Sequence, residues 1–573
     1  MYESLVAAFF GSAAAFLLWK YLIYPLFLSP LASVPAAHPI ARISTIWIDW
    51  QRLRGRDFQS ISAAFQSKGD YVVVSPQEIA VNDMDAVNSV WGIGATDFDK
   101  HPSYDYWATQ GSLNTFTSVL GPDHRRRHKR IRGVHNRSFI GSSIHIREIM
   151  RNLMINKVYP VIENVSASPQ QSTNLLPLTL SMILDCTSAF AFGAPLALDF
   201  VTDVKAREKW WNLFLVAFPN DQSLFWLREH PIVTKYLCML GVPLASKERV
   251  AARRQFESWA LPKVDEAEKV LKRRDKGESI ENGELPVLYD AVRSDLAQSQ
   301  PEAGKVFDPT LAERRELASE CLDHVAFTAE AFGTVFTYIV YELSHHSKIQ
   351  SALREELRTI KNPFFDSETP TDIPDSNALE RLPLLGAVIK ESLRLRNTSP
   401  NADPRVTPSN SACTVGTLNN VPPNTRVCSY GWCLHRNPDV YHDPLTWDPY
   451  RWLEGGSDDA AAAKKWFFAF GAGSRKCIGQ HIAVERMYFM FLFPSSPFKF
   501  SKVLTGLVIS VMRFSIATLY SRFSTEVTDE TAYPGRNNPM SSDLSENLQI
   551  KFQKLPIPNG VEGETGAPTD SGV

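Results

Sequence analysis

Apolar and polar positions change rhythm several times along the chain. Residues 5–28 are apolar except for Ser12 and Lys20, and a run of roughly 20 such residues is long enough to cross a bilayer. Lys20 can snorkel to the interface beside Trp19 and Tyr21. The segment 1–28 is therefore expected to be a single-pass anchor. Pro25, Pro30, Pro35 and Pro39 then predict a stiff hinge over 29–40, because proline cannot continue a helix. The alternating, β-branched run "DYVVVSPQEIAVND" (70–83) predicts a hairpin turning at Ser75-Pro76. From about 145 to 360 helical periodicity dominates, as in "SHHSKIQSALREELRTI" (344–360), where Ile349, Leu353 and Leu357 share a face. Short strands and Pro-rich loops fill roughly 400–450. The tail, 556–573, has too little apolar surface to fold. One mainly α domain with a smaller β part is expected over 41–555.

Charge adds direction. Glu3 is the only charged side chain before the apolar run, whereas Arg42, Arg52, Arg54 and Arg56 follow it. This asymmetry places the body in the cytosol, facing membrane lipid. The 573 residues carry a net charge of -2, which gives no reason to expect nucleic acid as a partner. The basic run "HRRRHKRIR" (124–132) stands alone and reads as a solvated face. The seven cysteines are odd in number, and no pair has CxxC spacing. They form neither a disulfide framework nor a zinc site, so each is read alone.

One of them has unusual company. In "WFFAFGAGSRKCIGQ" (466–480), Gly471 and Gly473 permit backbone conformations closed to other residues. Such a loop can approach a flat ligand closely. The following "QHIAVERM" has helical periodicity, so Cys477 is expected at a helix start, where a thiolate is favoured. Arg475 adds a cation able to pair with a carboxylate. A thiolate beside an anion-binding arginine suits a haem iron with propionates.

Phe470, Gly473, Arg475, Cys477 and Gly479 give F-x-x-G-x-R-x-C-x-G, which resembles the haem-binding signature of the cytochrome P450 family. Three further segments match in the family's order. "KESLRL" supplies Glu391 and Arg394, "TWDPYRWL" supplies Arg451, and "DPRVTP" supplies Arg405. The resemblance extends over nearly the whole chain. It implies the cytochrome P450 fold, with haem b ligated by Cys477 and a propionate contact from Arg405. It also implies a structural triad of Glu391, Arg394 and Arg451. NADPH would act through a cytochrome P450 reductase, with cytochrome b5 as a second donor, at the endoplasmic reticulum membrane. The family's W-x-x-x-R pair, which reaches a propionate, falls on His124 and His128.

Two departures matter. Alignment through "YELSHH" (341–346) puts "FTAEA" (327–331) where the family has A-G-x-D/E-T, an acid and an alcohol that relay protons. Glu330 is at the acid position, but Ala331 has no hydroxyl; Thr328 and Thr334 are nearby. Two readings stay open. Either Glu330 with water or a substrate hydroxyl delivers protons for an oxygenase, or the site isomerises or dehydrates its substrate without dioxygen. A haem-binding or defective chain without turnover is a third. Secondly, 488–513 is Phe- and Ser-rich and holds Pro494 and Pro497, whereas joining Met487 to Phe514 gives one helical pattern running through "FSIATLYSRFSTEV". The segment reads as an insertion or translated intron. The aromatic stretch 209–227, at the family's lid, suits a lipophilic small molecule. "DFDKHPSYDY" (97–106) and the hinge resemble filamentous-fungal members, many of which act in secondary metabolism.

Overall fold

The computed structural model describes residues 2–92, 98–168, 172–218, 225–242, 246–299, 307–396, 403–456, 460–473, 476–477, 507–532 and 547–557. Helices dominate. The longest, Leu311–His345, is opened by a capping box in which Thr310 and Glu313 satisfy each other's backbone N–H groups, as the first turn of a helix requires. It packs along the helix Leu175–Phe192 and touches the helices Ala260–Asp275 and Pro383–Leu395. Helix 175–192 is also apolar and long enough to span a bilayer, but it is almost wholly buried in the protein. It is a core helix. The N-terminal run Ala8–Leu28 passes the same test with none of it buried, and Lys20 lies over the rings of Phe16 and Tyr21. This helix is a candidate membrane anchor.

The hinge is docked onto the body. The Arg42 guanidinium donates to the carbonyls of Leu31 at 3.0 Å and Val34 at 2.6 Å. Ala37 N–H donates to Val73 O, and Val73 N–H to Pro35 O, both at 2.8 Å. Leu31 and Val34 are buried.

The expected hairpin forms from Tyr71–Ser75 and Glu78–Val81, with Val72 opposite Ala80 and Val73 opposite Ile79. Its alternation suggests one wet face, but both faces are covered. Val72 and Val74 pack with Ile48 and Phe58, and Val73 packs with Val87 and Val427. The sheet continues through Arg426–Ser429, Arg405–Val406 and Asp99–Lys100. The parallel register sets Glu78 beside Arg426, and the last pairing sets Lys100 beside Arg405.

Other expectations are corrected. The periodic stretch 344–360 is two helices, because His346 leaves helical geometry at φ -117°, ψ 68°; Leu353 and Leu357 of the second are buried as read. "FSIATLYSRFSTEV" is helical only to Arg522. Phe523–Ala532 is a strand paired with Asn547–Lys554, as its β-branched Thr525, Val527 and Thr528 favour. The helix itself is Leu507–Arg522, so seven residues of the segment 488–513 lie inside it. Pro494 and Pro497 lie outside this run, so neither can break it. Residues 488–506 lie outside the described residues.

The stretch expected as a lid and its continuation hold the helices Val204–Ala217, Phe225–Glu229 and Pro231–Met239. Glu229 is buried between two arginines, at 3.4 Å from Arg52 and 2.6 Å from Arg426. Both arginines also face Glu78.

Candidate active site around Cys477

The cysteine loop is a folded turn. Gly471 N–H donates to Phe468 O at 3.0 Å, and Cys477 N–H to Phe470 O at 2.8 Å. Gly471 and Gly473 have φ of 69° and 65°, a region glycine enters freely. A side chain on Gly473 would also run into the carbonyl oxygens of Trp91 and Gly92. The loop is thus pressed onto the end of the helix Met84–Trp91. Cys186, Cys321, Cys428 and Cys433 are buried, and burial pushes their thiols up, that of Cys433 to about 12. Cys477 is exposed. Arg475 and Gly479 lie outside the described residues.

Two networks hold this loop. The first is the triad. The Glu391 carboxylate accepts five hydrogen bonds: two from Arg394 at 2.9 and 2.8 Å, one from Arg451 at 3.0 Å, one from Trp452 Nε1 at 2.9 Å and one from Asp448 N–H at 3.0 Å. Arg394 goes on to the carbonyls of His435 and Pro444, each at 2.7 Å. Glu391 and Arg394 share a face because three residues separate them on the helix Pro383–Leu395.

The second is a histidine that sequence reasoning missed. His435 is fully buried. Its Nδ1 lies 3.0 Å from Arg394 O, and its Nε2 accepts the Phe468 N–H at 2.8 Å. The carbonyl on one side and the N–H on the other assign the Nδ1–H tautomer. One neutral ring thereby couples the triad to the start of the cysteine loop. A polar residue ending the apolar "SYGWCLH" was the available signal. Burial, with Arg394 and Arg436 beside it, pushes His435 down to about 3. The unfolded chain protonates this ring near its ordinary 6.5, whereas the folded one resists. Its contribution is intact above pH 6.5 and falls as pH drops toward 3, by about 1.4 kcal/mol per unit at most. His435→Gln should flatten the acid limb of a urea-midpoint profile over that window; an unchanged slope would count against the assignment.

The basic helix Gly121–Arg132 lies against the same loop. His128 hydrogen-bonds the Lys476 backbone, and burial, helped by Arg132 and Lys100, pushes its ring down to about 4. His124 lies beside it, with ring centroids 5.6 Å apart and Nδ1 2.9 Å from Thr115 O. The helix is not wholly solvated, contrary to its reading as a basic face. Arg127 reaches Glu316 at 2.9 Å, and Arg130 reaches Glu316 at 2.7 Å and Glu320 at 3.4 Å. Glu316 and Glu320 are one helical turn apart, which offers two inward arginines a matched pair of partners.

Arg405 is buried and already engaged. It donates to both carboxylate oxygens of Asp403, at 2.6 and 3.1 Å. Burial acts to raise Asp403, but Arg405 and the Tyr104 hydroxyl outweigh it and hold the carboxyl below its usual range. Trp91 Nε1 donates to Asp403 O at 3.0 Å. The helix Leu311–His345 carries Thr328, half-buried. It also carries Glu330 and Ala331, whose side chains lie outside the described residues.

These residues suit a flat group with an acidic edge. A glycine turn brings one accessible sulfur forward, buried imidazoles line the neighbouring helix, and an arginine stands on the strand next to the sheet edge. Such a donor set is that of a haem held through a cysteine thiolate.

Comparison with known proteins agrees. The cytochrome P450 family model matches residues 71–494. The chain is 26% identical over 487 residues to the cytochrome P450 monooxygenase aneF of Aspergillus aculeatus, covering 84% of this chain and 90% of that one. It is 25% identical to the fusicoccadiene C-8 hydroxylase of Phomopsis amygdali (82% and 85% covered) and 24% identical to the cytochrome P450 monooxygenase BOT1 of Botryotinia fuckeliana (81% and 84% covered). With the cysteine loop, the Glu391 network and a family match over most of its length, the chain belongs to the cytochrome P450 family.

Proposed function

We propose that the protein is a haem-thiolate monooxygenase that inserts one atom of dioxygen into a lipophilic small molecule, in fungal secondary metabolism. The observation that carries this is the accessible Cys477 in a glycine turn braced by Glu391 and His435. Relatives named as monooxygenases and a hydroxylase support it. Cys477 would ligate the iron, and Arg405, His124, His128, Phe470, Gly473, Arg475 and Gly479 would hold the macrocycle. Haem, when bound, supplies one-electron and dioxygen chemistry, to which a thiolate ligand adds electron density that favours O–O cleavage. The protein's share is to bind the substrate, exclude water and hold protons. Glu330 and Thr328 are the groups that would hold them. Electrons would come from NADPH through a reductase at the endoplasmic reticulum membrane, with cytochrome b5 assisting.

The reduced, CO-bound difference spectrum of the full chain tests this. A strongly red-shifted Soret band that vanishes in Cys477→Ser is expected; its absence in the wild type would reject the thiolate assignment. The reading without dioxygen rests on Ala331. Ala331→Thr should raise product formed per NADPH consumed several-fold if a missing alcohol limits proton supply. No gain in coupling would show that it does not.

We also infer that 488–513 interrupts the working helix. The family match ends inside it, at 494. Joining Met487 to Phe514 would set "HIAVERM" (481–487) where Leu507–Arg513 now stands, seven residues for seven. Transcript sequencing decides this: a message that encodes 488–513 ends the idea.

A further inference from the structure

The turn that follows the basic helix Gly121–Arg132 carries a histidine that neither the triad nor the cysteine loop uses. His135 is 5% exposed. Its ring stands edge-on to Phe190, with centroids 5.1 Å apart, and lies nearly parallel to His324 of the long helix, at 5.2 Å and 29°. Neither of its nitrogens has a hydrogen-bond partner among the described residues. Buried and without a partner, the ring stays neutral. The N–H bond and the lone pair of an imidazole lie in its plane, so two stacked rings cannot bond each other. Buried polar atoms are nearly always paired, and this ring leaves one donor and one acceptor over.

Its neighbours share the deficit. His324 is 8% exposed. Its Nδ1 lies 2.9 Å from Glu320 O. A carbonyl only accepts, so Nδ1 carries the hydrogen, and Nε2 of the neutral ring is an acceptor. That Nε2 has no partner among the described residues. Glu320 is fully buried. Its Oε2 accepts the Thr115 N–H at 3.0 Å and Arg130 at 3.4 Å. Its Oε1 has no partner among the described residues and lies 3.9 Å from His324 Nδ1, beyond hydrogen-bond reach. The Thr115 hydroxyl and Arg130 Nε are unpaired in the same way. The basic helix and the long helix thus meet along a buried seam whose polar atoms are half paired.

The mixture of groups says what fits there. Glu320 Oε1 and His324 Nε2 accept, Arg130 Nε–H donates, and His135 and the Thr115 hydroxyl do both. A metal ion would face the Arg130 guanidinium, and no cluster of three His, Cys, Asp or Glu residues placed to hold one occurs among the described residues. An anion would face the Glu320 carboxylate. A small neutral molecule that both donates and accepts suits every group, and water commonly makes about three hydrogen bonds at such sites. We propose that His135 and His324 hold buried water, shared with Glu320, that joins the end of the basic helix to the long helix. Arg130 also reaches Glu316, whose side chain is 17% exposed, so the seam has a way out to solvent. The site holds water whatever reaction takes place at Cys477.

Two measurements on the full chain test this. In the first, His135→Phe, His324→Phe and the double variant are unfolded with urea. With water joining the rings, each single variant strands the other imidazole and lowers the midpoint. The double variant has neither ring to satisfy and recovers most of the loss. In a dry seam each single variant removes an unpaired polar ring and raises the midpoint, which overturns the proposal. Losses that merely add would reflect packing alone and overturn it too. In the second, oxygen-17 magnetic relaxation dispersion compares long-lived water in the wild type and the double variant. The wild type should hold more, and equal amounts sink the proposal whatever the midpoints do. If the variants do not fold, a crystal structure of the wild type decides. Ordered water about 3 Å from His324 Nε2 is expected, and a dry contact rejects the site.

Discussion

Glu391→Ala is expected to remove haem incorporation and to cost the fold about 3–5 kcal/mol. The carboxylate is fully buried and is the shared acceptor of Arg394, Arg451, Trp452 Nε1 and the Asp448 N–H. The two guanidiniums are at most 1% exposed. Alanine would leave both without a counter-charge, which is costlier than the pair's net worth because neither can reach water. Glu391→Gln should be milder, since an amide oxygen still accepts from Trp452 and Asp448. The damage would travel: Arg394 holds His435 O, and His435 holds Phe468 N–H at the mouth of the cysteine loop. Urea unfolding and the CO difference spectrum, read on both variants, check this. A normally haem-loaded alanine variant would contradict it.

The second large effect is expected at Glu229. Its carboxylate is buried and bridges Arg52 and Arg426, with Arg228 at 3.1 Å. Burial opposes the charge, but Arg426, Arg52 and Arg228 outweigh it and hold Glu229 well below the usual carboxylate range. Its stabilisation is therefore present at neutral pH and is lost as pH falls through that depressed value. Glu229→Ala leaves two buried arginines to share Glu78, at a cost on the order of 3–5 kcal/mol. The loss should be local. The helix Pro231–Met239 packs chiefly on Phe225–Glu229, and Tyr236, Met239 and Leu240 are exposed. Backbone amides of 225–239 should exchange with deuterium faster by roughly two to four orders of magnitude, while the helix 311–345 keeps its protection. Uniformly faster exchange would mean that Glu229 supports the whole fold instead.

The sequence carried local patterns well. The β-branched hairpin, the apolar N-terminal helix and the Glu391-x-x-Arg394 spacing each express a short-range rule, and each is found where the pattern put it. What it could not carry were partners from afar. His435 lies 41 residues from Arg394 and 33 from Phe468, and no periodicity marks a ring that two backbones share. Arg130 reads as surface until Glu316 and Glu320 are brought opposite it. The break at His346 and the strand after Arg522 were hidden for the opposite reason. Both interrupt stretches whose apolar spacing is compatible with continued helix, and tertiary pairing decides between them.

The grip of Arg42 on Leu31 and Val34, and the pairing of Pro35 and Ala37 with Val73, fix more than the hinge. With the N-terminal helix in a bilayer, they would give the body a set attitude toward it, as a bracket does, rather than the freedom of a tether. A foreign anchor grafted at Leu28 should preserve that attitude. One grafted beyond Arg42 would release it and would strip two backbone hydrogen bonds from the outer strand of the sheet, baring an edge to which a second chain could add.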